Sequence, residues 1–299
     1  MIQAPPPPGN RTAKPSPDQV TPLVPREFIT KPFFPAKKQD APRIIEYQGV
    51  TWTIGAPRLD SRGEMPPFDM RHGRVCFALL TFRDRLEEEK QISFSINELA
   101  HRVARSNGGR YSRDLMDILY DLRDTWVRLD HPDGSFDKFS IIESIRIHGK
   151  PVRRRDAKAA LDRQGELWLD FVHLNPTFFG LLRHYKSLAR IRFDVLTSLT
   201  SDAAQAIYCF LPSRAVHREA DNPFEIRLDT LMEQIGLPVP GYKSIRRKIF
   251  TQHKRPIIEQ LDGAETMAGR MRVDLAETAD GSDYKLRAWV EKPQVNLKS

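Results

Sequence analysis

Cysteine is almost missing from this chain: there are two in 299 residues, Cys76 and Cys209, each inside an apolar run. Two thiols so placed do not suggest a disulfide framework and offer no thiolate metal cluster. No stretch approaches the run of about 18 apolar residues that a membrane-spanning helix needs. The first residues lack the apolar core of a signal peptide, which points to a cytoplasmic protein. There is no G-x-x-x-x-G-K-[ST] loop, so nucleotide hydrolysis of the P-loop kind has no support. None of the eight histidines has another two positions away, which removes the metal-binding pair that a rolling-circle nickase requires. His173 and His184 stand alone and read as structural. The expectation is a protein that is not an enzyme, with no catalytic site, no metal and no cofactor.

Cations exceed acids, 47 to 39, for a formal charge of +8 and a pI of about 9.5. That balance suits a polyanionic partner. Its distribution says more than its total. Residues 43–149 carry 16 cations against 17 acids, and 191–299 carry 16 against 15, so the basic runs inside these stretches are local patches. No long amphipathic apolar segment accompanies them, and a membrane surface is not the expected partner.

Residues 1–43 read as a disordered proline-rich arm, since 11 of the 23 prolines fall in 1–42 and aliphatic residues are few. Within it, the run Glu27-Phe28-Ile29-Thr30-Lys31-Pro32-Phe33-Phe34 has two readings. It packs on the first domain, or it is a short docking motif for a host protein.

From Ile44 the pattern becomes globular. Residues 70–87 read as a helix around Val75, Leu79 and Phe82, and 91–96 alternate as a strand. Asn97 can cap a helix over 97–105. After the turn at 106–109, Tyr111, Leu115, Ile118, Leu119, Leu122 and Trp126 share one helical face. Strands at 126–130 and 139–148 then form a hairpin through His131-Pro132-Asp133-Gly134. The basic connector 149–163 leads to a strand at 165–174, and Asn175 caps a helix over 176–186.

The same order recurs: a helix at 200–215, a strand at 224–228, a helix capped by Asp229, a proline-rich turn at 236–241, a long basic helix at 241–263, and strands at 270–276 and 284–290. Cys76-Phe77 maps onto Cys209-Phe210, then Ile96, Leu99 and Val103 onto Leu228, Leu231 and Ile235, then Tyr111 and Ile118 onto Tyr242 and Ile249. The offset shifts by one residue at each loop, as a duplication with small indels would produce. Helix, strand, helix, helix, hairpin is the order of a winged helix. The fold class expected is therefore α+β: tandem winged-helix domains behind the arm, the first over 44–175 with a basic hairpin extension, the second over 176–299.

With these elements in place, the chain resembles the plasmid replication initiators with two winged helices, the TrfA-like type. The likeness covers roughly 45–292 and is nearest in HYKSLARIRFDVLTSLTSDAAQAIYCFL and LDTLMEQIGL. It implies a sequence-specific double-stranded DNA-binding protein that binds repeated origin sites (iterons), promotes origin opening and recruits host replication proteins. The helicase or its loader would be such partners. The family's clamp-binding Gln-x-x-Leu-x-Leu-Phe string has no counterpart here, which leaves the sliding clamp the weaker candidate. The family also implies a homodimer through the first domain, and a bacterial cytoplasmic location on nucleoid or plasmid. The alternative is a winged-helix transcriptional regulator without a replication role.

The run GYKSIRRKIFTQHKR, 241–255, holds six cations and no acid. It reads as a recognition helix, with Ile245, Ile249, Phe250, Ile257 and Leu261 on its packed side and a bend at Pro256. Candidate DNA-binding residues there are Lys243, Ser244, Arg246, Arg247, Lys248, Lys254 and Arg255. Arg246 and Arg247 are the expected base readers, since a guanidinium fork matches the guanine edge. The first copy offers Arg105, Arg110, Tyr111 and Arg113, but Asp114, Asp117, Asp121 and Asp124 on the same helix would repel phosphate. Arg153, Arg154 and Arg155 in the connector could grip the backbone without reading sequence.

Overall fold

The computed structural model describes residues 23–25, 33–37, 42–47, 49–56, 68–82, 91–94, 96–103, 109–146, 170–178, 180, 188–252 and 255–292. The chain runs through β1 (Leu23–Pro25), the hairpin β2 (Arg43–Tyr47) and β3 (Val50–Ala56), α1 (Met70–Leu80), β4 (Gln91–Phe94), α2 (Ile96–Val103) and α3 (Gly109–Asp124). It continues through β5 (Trp126–Asp130), β6 (Phe136–Phe139), β7 (Ile142–Arg146), β8 (Asp170–Leu174) and β9 (Leu188–Arg190). The second half holds α4 (Phe193–Ser198), α5 (Asp202–Ala215), β10 (Phe224–Arg227), α6 (Leu228–Gln234), α7 (Lys243–Thr251), α8 (Ile257–Leu261), β11 (Arg270–Glu277) and β12 (Tyr284–Glu291). Helices and antiparallel sheets alternate, the mixed composition that the apolar periodicities require.

Two three-stranded sheets have matching orders, β4-β8-β7 and β10-β12-β11. In each, the strand after the first helix pairs with the last strand of its half, and the helix pair lies between them in sequence. The residues expected to correspond are buried in both halves: Cys76 and Phe77 in α1, Cys209 and Phe210 in α5. Leu99 and Val103 in α2 are matched by Leu231 in α6 and Ile235 just after it. Burial raises the pKa of both thiols, so each behaves as a small core hydrophobe.

The first half keeps the expected turn at 131–134, which joins β5 to β6, but departs from the expected hairpin beyond it. Strand β5 pairs with β3 on one side and β6 on the other, in a separate sheet ordered β2-β3-β5-β6. The chain turns a corner after β6, where Ser140 Oγ donates to the Ile142 carbonyl at 2.7 Å. It then enters β7, which pairs with β8. The predicted strand 139–148 is thus divided between two sheets. The β2–β3 hairpin supplies β5 with a neighbour, and Val127 and Leu129 point into the core it covers. Trp126, which the sequence placed both at the end of the helical face and at the start of a strand, begins β5, with the bounds expected for that strand.

The expected separation of 1–43 from the globular part fails at 33–36. Phe33, Phe34 and Ala36 are buried. Phe33 meets Trp52 edge-on at 6.2 Å between ring centroids, and Phe34 meets Phe77 at 5.7 Å. A side chain at Gly73 would place its Cβ 2.9 Å from the Phe34 ring, so glycine permits this close approach. Of the two readings of the aromatic run, packing is the one observed at Phe33 and Phe34; residues 27–32 lie outside the described set. The same segment reaches the second half. Ala36 N donates to the Ile235 carbonyl at 2.7 Å, and Arg43 donates to the Gln234 carbonyl. Earlier in the chain, β1 pairs with β9.

A polar pin joins α1 to α3. Asp69 caps α1 by accepting from Arg71 N at 2.9 Å. Buried His72 lies 2.9 Å from Asp69 Oδ1 through Nδ1 and 3.0 Å from Asp121 Oδ2 through Nε2. Burial disfavours the imidazolium, but hydrogen bonds to Asp121 and Asp69 outweigh it and raise the His72 pKa above its ordinary 6.5. Burial alone would raise Asp69; hydrogen bonds from His72 and Arg71 instead hold it well below the usual carboxylate range. Arg74 of the same helix lies 3.6 Å from Asp202 at the start of α5.

Two outcomes follow. Phe34→Ala should cost about 3–5 kcal/mol in urea unfolding, as for a buried aromatic that leaves a cavity. An unchanged midpoint would show that 33–36 does not pack in solution. Because the folded His72 pKa lies above 6.5, its contribution is complete below pH 6.5 and is lost as pH rises through the folded value. The melting temperature should therefore fall on that alkaline side, and His72→Gln should flatten the profile there. Equal pH profiles would refute the pin.

Candidate nucleic-acid interface

The basic segment does not form one long helix. It divides into α7 and α8, with 252–256 between them. Pro256 stands at the N-cap of α8, where its missing N–H costs nothing. Phe250, Ile257 and Leu261 are buried, and Ile249 is half-buried. Ile245 is not: it is 43% exposed.

The residue that takes the inward position instead is Arg246, 7% exposed. It stands four positions before Phe250, and that spacing puts both on one helical face. Its Nε donates to Asp283 Oδ1 at 2.9 Å, and its Nη1 donates to the Pro240 carbonyl at 2.6 Å. Asp283 is fully buried, closes the β11–β12 turn, and also accepts from Asp229 N at 3.2 Å. The expected role of Arg246 as a base reader therefore does not fit its placement. Its guanidinium is consumed by fixing α7 to the preceding turn and to the hairpin.

Lys243 is a second tether. Its Nζ donates to Glu277 Oε1 at 2.6 Å and to the Gly281 carbonyl at 2.5 Å. Gly281 has a φ of +65°, a conformation glycine adopts without strain. The Glu277 hydrogen bond raises the Lys243 pKa. The tip of this hairpin is not basic, since Asp280 is held ionised by hydrogen bonds from Thr278 and Ser282.

Facing outward are Tyr242 at the N-cap of α7 and, on the helix, Ser244, Ile245, Arg247 and Lys248. Arg247 lies over the Tyr284 ring at 5.2 Å. No salt bridge among the described residues engages Arg247 or Lys248. By contrast, cations on the neighbouring strands are neutralised: Arg287 by Asp274, Lys285 by Glu225, and Arg272 by Asp262. Arg255 is exposed after α7, and Lys254 lies outside the described residues.

The equivalent helix of the first half, α3, has a different surface. Asp114, Asp117 and Tyr120 are exposed, and Arg123 is paired with Asp124. Of Arg110, Tyr111 and Arg113 the structure describes the helical backbone. Arg105, Arg153, Arg154 and Arg155 lie outside the described residues.

Among the described residues, no group of three or more His, Cys, Asp or Glu is placed to hold a metal ion. No helix among them is long and apolar enough to cross a membrane.

No known family model matches the chain, and no curated protein matches it in sequence. Solved structures do resemble it. A crystal structure of domains 2 and 3 of RctB, as a selenomethionine derivative, aligns with a TM-score of 0.56 at 13% identity, covering 90% of this chain and 99% of that one. A second structure of RctB domains 2–3 gives 0.51 at 13% identity, covering 88% and 96%. The likeness spans both halves and is one of fold.

Arg246 and Arg247 are adjacent in sequence but face opposite environments, and substitution should separate them. Arg246→Ala leaves Asp283 buried without its cation and should cost about 3–5 kcal/mol. Arg247→Ala should change stability by less than about 0.5 kcal/mol. Urea unfolding followed by circular dichroism measures both, and equal midpoints would overturn the assignment.

Proposed function

We propose that the chain is a sequence-specific double-stranded DNA-binding replication initiator of the TrfA-like type. Its two halves act as winged helices, and α7 enters the major groove. The observation that carries this reading is the surface of α7. Ser244, Arg247 and Lys248 face outward with no acid beside them in sequence, on a helix held to its hairpin by Arg246 and Lys243. Uncompensated cations on the exposed side of a tethered helix suit a phosphate-lined groove. The fold likeness to the paired RctB domains supports an arrangement in which both halves work as one unit.

On this reading Arg247 is the base-reading fork and Lys248 a phosphate partner. Arg153, Arg154 and Arg155 of the basic connector grip the backbone without reading sequence. The exposed acids of α3 confine DNA contact in the first half to the start of that helix, or leave its face to a second protein copy or a host replication protein. Repeated origin sites are the proposed target.

Selection from random duplexes, followed by gel-shift titration over a salt series, tests this. Each lost phosphate contact should flatten the slope of log K against log salt by about 0.9. Lys248→Ala should do so on every sequence, and so should alanine at Arg153–Arg155. Arg247→Ala should relax preference at one base pair, at a cost of roughly 1–3 kcal/mol. A folded Arg247→Ala/Lys248→Ala protein that binds as the parent does would remove α7 as the reader.

A further inference from the structure

Seven large hydrophobic side chains are well exposed among the described residues, and three of them fall within 239–245. Val239 is 44% exposed, Tyr242 75% and Ile245 43%. Isolated exposed apolar residues need no explanation, but a cluster at one place does. Tyr242 and Ile245 are three residues apart across the start of α7, so they lie on one edge of the helix. Lys248, three further on, continues that edge, with Ser244 and Arg247 beside it. The Tyr242 backbone is spent on the helix start, its carbonyl accepting from Ile245 N at 3.1 Å and Arg246 N at 3.2 Å. Its ring is left to solvent.

An occupant of this edge must offer apolar groups amid negative charge. A protein groove could supply the first, but Arg247 and Lys248 would then need carboxylates placed to match. Duplex DNA supplies both at once, since the thymine 5-methyl group is the apolar feature of the major groove and phosphates line its rim.

We infer that Ile245 and Tyr242 read thymine methyl groups and contribute specificity that the cations of α7 do not provide. This rests on α7 being the DNA-reading helix. Ile245 packs on one methyl, and the Tyr242 ring covers a neighbouring methyl at the helix start. The two therefore favour A·T pairs at fixed positions beside the pair read by Arg247.

The test uses the full chain and the duplex it selects, with each thymine replaced singly by deoxyuridine, which removes only the methyl. Burying one methyl-sized group is worth about fourfold in affinity. The parent should lose about that factor at one or two positions. Ile245→Ala should bind the thymine duplex about fourfold more weakly and become indifferent to uracil at one position, while Ile245→Val keeps the sensitivity. Tyr242→Ala should become indifferent at the adjacent one. Arg247→Ala should bind more weakly yet stay sensitive to uracil. Thermal melts check that each variant is folded, and exposed positions should melt as the parent does.

If the parent ignores every uracil, or Ile245→Ala stays as sensitive as the parent throughout, the inference falls while the DNA reading stands. Undiminished DNA binding by both variants with lost self-association would assign the edge to a protein contact and overturn it. Selection of no duplex by the parent would remove the DNA reading, and this inference with it.

Discussion

The second half depends on one buried ion pair, Arg246 with Asp283. Burying two charges is costly, and the cost is recovered only when geometry is good and the remaining polar atoms are satisfied. Here they are. Asp283 accepts from Arg246 and from the Asp229 backbone, and the guanidinium also donates to the Pro240 carbonyl. One carboxylate thereby ties the start of α6, the body of α7 and the end of the hairpin turn. Apolar contacts resist separation but allow sliding, whereas hydrogen bonds have direction. The angle at which α7 is presented is fixed by this pair and by Lys243 reaching Glu277 and Gly281.

The first half solves the same problem with other residues. His72 stands between Asp69 and Asp121 and fixes α1 against α3. The sheet orders match, but the surfaces do not. Each exposed aspartate of α3 would face an approaching phosphate with a repulsion of about 1–4 kcal/mol at about 4 Å, depending on how much water remains between them. Among the described side chains, α3 presents acids where α7 presents cations, and the divergence lies in residues that the core does not constrain.

Much of this was legible in the sequence because it rests on local pattern. The apolar spacing of α5 and α6, the alternation of β11 and β12, and Asn175 accepting from Thr177 N at 3.0 Å all follow from residues close together in the chain. Other features rest on partners far apart. Hydrophobicity assigned Ile245 to the packed face and Arg246 to the groove, and the structure rotates that assignment by one residue. The spacing of Arg246 from Phe250 carried the signal, but its partner Asp283 arrives 37 residues later in a turn. The strand exchange in the first half was hidden for a similar reason, since the β2–β3 hairpin that captures β5 precedes it by most of the domain. Composition left the packing of Phe33 and Phe34 as one of two readings, because prolines around an aromatic pair describe the segment and not the pocket that receives it.

That segment also bears on how the halves act together. Its hydrogen bonds to the second half fall on Gln234 and Ile235, at the end of α6. The next residues, 236–241, form the turn that leads into α7, and Arg246 holds that turn from its far side. The grip of the N-terminal segment and the placement of α7 are thus separated by a single short connection, which is itself fixed at both ends. With α1 also set against α5 through Arg74 and Asp202, motion of one half against the other would have to break packed aromatics, backbone hydrogen bonds and an ion pair together. Two halves joined by a loose linker could take up varying separations. Halves braced in this way hold one separation, and that separation is set by the fold.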